Sequence, residues 1–122
     1  MILADSNLII YAASGNYPAL LDWFAENQPV ASAVSLVETL GYYKLTTKEK
    51  AALEALFAEL TVLYPTVEIF QRAVDLRQQR SVSVGDALIA ATALHHNLIL
   101  ATHNPKDFEW IESLPLVDPL AE

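Results

Sequence analysis

The chain has 122 residues, 53% of them hydrophobic, and its 7 Lys and Arg against 15 Asp and Glu give a formal net charge of −8. A chain of this length buries about two-thirds of its unfolded surface around one core, so a single domain spanning residues 1–122 is expected. The charge excludes a surface that gathers polyanions by its overall field, and the absence of Cys excludes disulfides, thiolate zinc sites and thiol nucleophiles.

Met1 to Ala4 is a short apolar run leading straight into Asp5, with no basic region before it. That predicts a strand and argues against a secretory signal, leaving the cytoplasm as the default compartment. Asp5 stands where it would cap a helix beginning at Ser6. Gly15-Asn16 and Gln28-Pro29 are turn signals. A second apolar run, Val30 to Val34, precedes Ser35-Leu-Val-Glu38, which spells a capping box in which the serine caps a helix and the acid reaches back to the cap. From Lys48 to Leu60, Leu53, Leu56, Phe57 and Leu60 fall at i, i+3, i+4 and i+7, and the spacing predicts an amphipathic helix. Thr61 to Tyr64 is a third short run. Val67 to Arg80 predicts a helix whose wet face carries Arg72, Arg77 and Arg80.

Ser83-Val-Gly-Asp86 spells a second capping box, opening a segment from Asp86 to His96 that is apolar nearly all round. Its helix should be buried on most sides. The broader stretch Val82 to Ala101 reads as core and not as a membrane span, because Asp86, His95, His96 and Asn97 interrupt it. His95 and His96 fall at the helix end, where imidazoles meet the last carbonyls. Leu98 to Ala101 is the fourth run, and Leu116 to Val117 lies in a Pro115 to Pro119 tail that should follow a sheet edge. Short apolar runs alternating with helical segments predict an α/β fold with a central parallel sheet of four to five short strands flanked by helices.

Three acids, Asp5, Glu38 and Asp86, sit among small and apolar residues just past a run, or at the opening turn of the helix after one. Each taken singly is as good a cap as a functional group. Taken together they fall at matching places, which a parallel sheet gathers at the carboxyl ends of its strands, and caps have no reason to converge. Burying unpaired carboxylates costs several kcal/mol, so such a cluster either protonates or takes a cation. Oxygen ligands without Cys or a His pair favour Mg²⁺ or Mn²⁺ over zinc. A hard ion of this kind supports hydrolysis at phosphate with no protein nucleophile. Local positive charge for a nucleic-acid substrate would then come from bound metal, from the Arg72, Arg77 and Arg80 group, or from a basic partner. The three glycines form no phosphate cradle and no serine lies in a nucleophile elbow. Trp23, Trp110, Tyr42 and Tyr43 are expected in the core or at an interface.

Four stretches in order resemble the PIN domain family, and within it the short VapC-type toxins of bacterial toxin-antitoxin pairs. They are Ile2-Leu3-Ala4-Asp5-Ser6-Asn7, Ser32-Ala-Val-Ser-Leu-Val-Glu38, Asp86-Ala-Leu-Ile-Ala-Ala-Thr-Ala-Leu and Leu100-Ala-Thr102-His103-Asn104-Pro-Lys-Asp107-Phe108. The resemblance implies a three-layer PIN-like fold and Mg²⁺- or Mn²⁺-dependent RNA cleavage leaving 5′-phosphate and 3′-hydroxyl ends. It also implies a homodimer and an antitoxin whose tail covers the active site. Asp5, Glu38 and Asp86 would be the catalytic and metal-binding acids, with Ser6, Thr102, Asn104 and Asp107 as accessory candidates. Asn104 stands where many members carry a fourth acid, so a second metal would be held more weakly. Asp107 would compensate for it or cap a local turn, with Phe108 anchored in the core. His103 stands where the family often has a basic residue, to meet phosphate or simply face solvent. The rival reading is a PIN-like binding module, weak or inactive in catalysis, that acts through a protein partner. A receiver-like phosphoacceptor lacks its acidic pair.

Overall fold

The computed structural model describes residues 1–121. Five strands and six α-helices follow one another as β1 (Ile2–Ala4), α1 (Ser6–Ala13), α2 (Pro18–Asn27), β2 (Val30–Ser32), α3 (Ala33–Leu40), α4 (Thr47–Ala58), β3 (Val62–Leu63), α5 (Val67–Gln79), α6 (Val84–His96), β4 (Ile99–Ala101) and β5 (Leu116–Val117). The sheet runs in the order β3-β2-β1-β4-β5, and every pairing is parallel. The tail thus forms the edge strand expected of it.

Register explains the layers. Leu3 pairs with Val30 on one side and Leu100 on the other, and Ala4 pairs with Ala31 and Ala101. Alternation along a strand therefore sends Leu3, Val30 and Leu100 to one face and the three alanines to the other. The first face packs against Ile69, Ala73 and Leu76 of α5 and the apolar run Ala87 to Ala93 of α6, with Phe108 of the following loop 2% exposed among them. The second packs against Leu8 and Ile9 of α1, Leu20 and Phe24 of α2, and Leu53 and Phe57 of α4, larger side chains that fill the room the alanines leave. Helices on both faces of a parallel sheet give three layers.

Local chemistry sets the helix boundaries. Thr46 and Glu49 complete a reciprocal capping box at the start of α4, and Thr66 caps α5. The run read as a strand over Val30 to Val34 stops at Ser32, because the Ser32 hydroxyl accepts from the Val34 amide at 3.1 Å and starts α3 there. The capping box spelled by Ser35 and Glu38 is therefore corrected: Ser35 lies inside the helix, three residues past its true cap. The second box is half right, with Ser83 capping α6 and accepting from the Asp86 amide at 3.1 Å. The end of α6 is closed by Asn97 in the left-handed region, φ 55°, and His95 and His96 pack edge-on against each other, so imidazole capping is corrected as well. α2 has no counterpart among the expected elements, since only Leu20 and Phe24 of it are buried. No helix among the described residues is long and apolar enough to cross a membrane.

Candidate active site

The strands open their carboxyl ends on one side, and the chain reverses its path across the sheet between β1 and β4. Open parallel sheets bind ligands in the crevice at that reversal. β1 delivers Asp5 to it and β4 delivers Thr102. The Asp5 amide donates to the Ala101 carbonyl at 3.0 Å, which pins the first acid against the end of β4. Asp5 also caps α1, its Oδ1 accepting from the Leu8 amide at 2.8 Å, which bears out the capping reading and leaves Oδ2 free of that bond.

Glu38 reaches the crevice from α3 and Asp86 from the first turn of α6. Ser6 Oγ donates to Glu38 Oε1 at 2.7 Å. That uses the only hydrogen Ser6 has, so the 2.8 Å contact between the Ser6 and Ser35 hydroxyls has Ser35 as donor. A buried relay from Ser35 through Ser6 thus fixes where Glu38 points. On its other side the Glu38 carboxylate rests against Gly85, where a Cβ would overlap Oε2. Gly85 is a site residue that composition and spacing do not reveal, because its task is to make room for a side chain 47 positions earlier in the chain (85 − 38).

Exposure separates the acids. Asp5 is 6% exposed, Asp86 is half-buried and Glu38 lies open to solvent. Burial pushes the Asp5 carboxyl above its ordinary value, hydrogen bonds from Thr102 and the Leu8 amide pull it back, and the charges of Asp86 and Glu38 push it up again. For Asp86, burial raises the carboxyl first, then the charges of Glu38 and Asp107, with the Ser83 hydroxyl opposing. Asp5 therefore feels the charges of Asp86 and Glu38, and Asp86 those of Glu38 and Asp107.

No Lys or Arg neutralises them: the one ion pair among the described residues joins His103 to Asp118. Nor are any three Asp, Glu or His side chains among the described residues drawn close enough to form a finished metal cage. Asp107 lies in a single 3₁₀ turn, Pro105–Asp107, where its carbonyl accepts from Trp110 Nε1 at 2.9 Å while its charge reaches Asp86. Asn104 precedes that turn and gives it no side-chain cap; its amide donates to Thr102 Oγ1 at 3.0 Å.

The arginines are mostly spoken for. Arg77 Nε donates to the Val82 carbonyl, and the Arg80 guanidinium lies over the Trp110 ring at 5.7 Å. Tyr42 and Tyr43 are surface residues, not core. Tyr42 borders a groove of about 330 Å³ between α1, α3 and α4, lined by Ile10, Ala13, Leu45 and Leu53 and reaching Glu38.

The chain is similar to known proteins over most of its length. The model of the PIN domain family matches residues 2–112. Ribonuclease VapC10 of Mycobacterium tuberculosis is 36% identical over 123 aligned positions, covering 93% of this chain and 90% of that protein. Ribonuclease VapC1 of Haemophilus influenzae is 30% identical, covering 95% of this chain and 96% of its own. Among solved structures, a toxin-antitoxin complex from Klebsiella pneumoniae matches with a TM-score of 0.80 at 27% identity, over 100% of both chains.

Proposed function

The chain belongs to the PIN domain family, and from that premise we propose that it is a Mg²⁺- or Mn²⁺-dependent endoribonuclease, the toxin of a toxin-antitoxin pair acting in the cytoplasm. The observation that supports the reading is that Asp5 after β1, Glu38 of α3 and Asp86 of α6 act on one another's charge near the reversal of a parallel sheet with no Lys or Arg paired to them. The relatives named as ribonucleases supply the substrate class.

The donor set fits a hard divalent ion. Asp5, Glu38 and Asp86 would hold it, with Asp107 at the outer edge, and the set holds neither sulfur nor imidazole. When bound, such an ion lowers the pKa of a water and neutralises charge on the phosphate. The chain's own residues do the rest. Asp5, fixed by the Leu8 amide and Thr102, anchors the floor of the site. Ser35 and Ser6 hold Glu38 in place by hydrogen bonding, so the exposed carboxylate loses little further freedom on binding. Cleavage of labelled RNA in Mg²⁺ or Mn²⁺, leaving 5′-phosphate ends and ceasing in EDTA, tests the reading; undiminished cleavage in EDTA contradicts it.

The partners follow the same family logic. The apolar groove beside Glu38 is the seat we assign to the tail of an antitoxin, which would cover the acids from there. A second apolar face, formed by Val67, Phe70 and Val74 of α5 with Val84 of α6, is the surface we assign to a homodimer. Phe70 is 54% exposed, so Phe70→Glu should leave the fold intact and convert a dimer to a monomer in size-exclusion chromatography with light scattering. An unchanged mass would remove this face from the interface.

A further inference from the structure

Beside the acids, Tyr17, Tyr11 and His103 form a row of rings. The Tyr11 and Tyr17 centroids lie 5.2 Å apart at a tilt of 44°, and His103 meets Tyr11 edge-on at 6.0 Å and 81°. The row starts next to the site at His103, which follows Thr102, a hydrogen-bond partner of Asp5, and runs away from it along α1 through Tyr11. The imidazole is anchored from the tail: Nδ1 lies 3.1 Å from both Asp118 oxygens, and Asp118 Oδ1 also accepts from the Leu120 amide at 2.9 Å. The His103 side chain is 42% exposed and that of Asp118 17%, so the ring is presented and its anchor is mostly covered.

A carboxylate only accepts, so Nδ1 carries a hydrogen and Nε2 is the atom left to meet a ligand. As a lone pair, Nε2 accepts from a hydroxyl; carrying a proton, it donates. A ribose 2′-hydroxyl answers both states because it is donor and acceptor, whereas a phosphate answers only the second and a deoxyribose offers nothing there. At a net charge of −8 the protein repels the RNA backbone, and recognition through a hydroxyl and stacked rings needs no positive field. Partly exposed Tyr17 offers a face on which any base can stack.

We infer that His103, anchored by Asp118 and leading a row of rings through Tyr11 to Tyr17, is a nucleotide subsite that reads the 2′-hydroxyl of single-stranded RNA and so favours RNA over DNA. It rests on the ribonuclease reading and adds the residues that choose the sugar.

Fluorescence anisotropy of a labelled single-stranded RNA and its DNA counterpart tests it, on the full chain carrying Asp86→Asn so that the RNA survives. Adding His103→Ala should weaken RNA binding about fivefold, the scale of one hydrogen bond, and leave DNA within about twofold. Tyr17→Ala should weaken both by about tenfold, because stacking ignores the sugar. Asp118→Asn should shift RNA in the same direction as His103→Ala, and it serves if the alanine variant melts early. Equal losses on RNA and DNA, or no loss, overturn the subsite, and RNA cleavage by the parent would then leave the ribonuclease reading standing. A parent that neither binds nor cuts RNA overturns both.

Discussion

Asp5→Asn should melt at a higher temperature than the parent at neutral pH while losing RNA cleavage. The folded-state pKa of Asp5 is raised, first by burial and then by the charges of Asp86 and Glu38. The native chain therefore binds this proton more tightly than the unfolded chain, so stability is greatest below the ordinary carboxyl value and falls as pH rises through the folded one. At neutral pH the destabilisation is present in full. Asparagine removes the charge and keeps an oxygen to accept from the Leu8 amide, and it caps helices as well as aspartate does. A gain of 1 kcal/mol would raise the melting temperature by roughly 3–6 °C in a domain of this size.

Cleavage should fall by at least about 100-fold, because several kcal/mol of transition-state stabilisation depends on a charged ligand at this position. Calorimetry and a gel assay on one preparation measure both halves. The stability gain should vanish in acid, where the parent's Asp5 is already protonated. A variant that melts lower, or that cuts at the parental rate, contradicts the account. Asp86→Asn should move both quantities the same way, with a smaller thermal effect because Asp86 is only half-buried.

That opposition between stability and activity is also what made the acids legible. A carboxylate behind an apolar run is locally unfavourable, and its place in the sequence asks for a reason. Asp5 was visible twice, as a cap and as a candidate site residue, and the cap is there. Ser35 was not placed correctly, because Ser32 and Ser35 lie three apart and either spells the start of a helix. Only the register of β2, which pairs Ala31 with Ala4 and ends at Ser32, decides between them.

Glu38 was expected among apolar neighbours but sits on the exposed side of α3, while Ser35 and Thr39 are the residues that helix buries. Gly85 and the Ser35–Ser6 relay were beyond reach, because each acts on a residue brought close only by the fold. α2 escaped because two buried residues one turn apart, Leu20 and Phe24, make too weak a period to register. The long helices and the alternation of strand and helix in an α/β domain were readable because α4, α5 and α6 carry their apolar stripes, or their all-round apolarity, over three turns or more.

Mn²⁺ should raise the melting temperature of the parent by about 10 °C at 100 times its dissociation constant, where binding contributes about 2.7 kcal/mol. The shift separates an active nuclease from an inert binding module without any RNA present. It should shrink as pH falls through the raised carboxyl pKa values of Asp5 and Asp86, because protons and the cation compete for the same oxygens. It should also shrink in Asp5→Asn, so the variant gains stability without the ion and loses most of what the ion adds. Those two changes have one cause, a charge buried at Asp5 that the neighbouring acids disfavour further and no Lys or Arg relieves. A parent whose melting does not respond to millimolar Mn²⁺ at neutral pH would leave the carboxylates without a cation to hold. The exposed groove beside Glu38 would then be the working surface, and the domain would act through its protein partner alone.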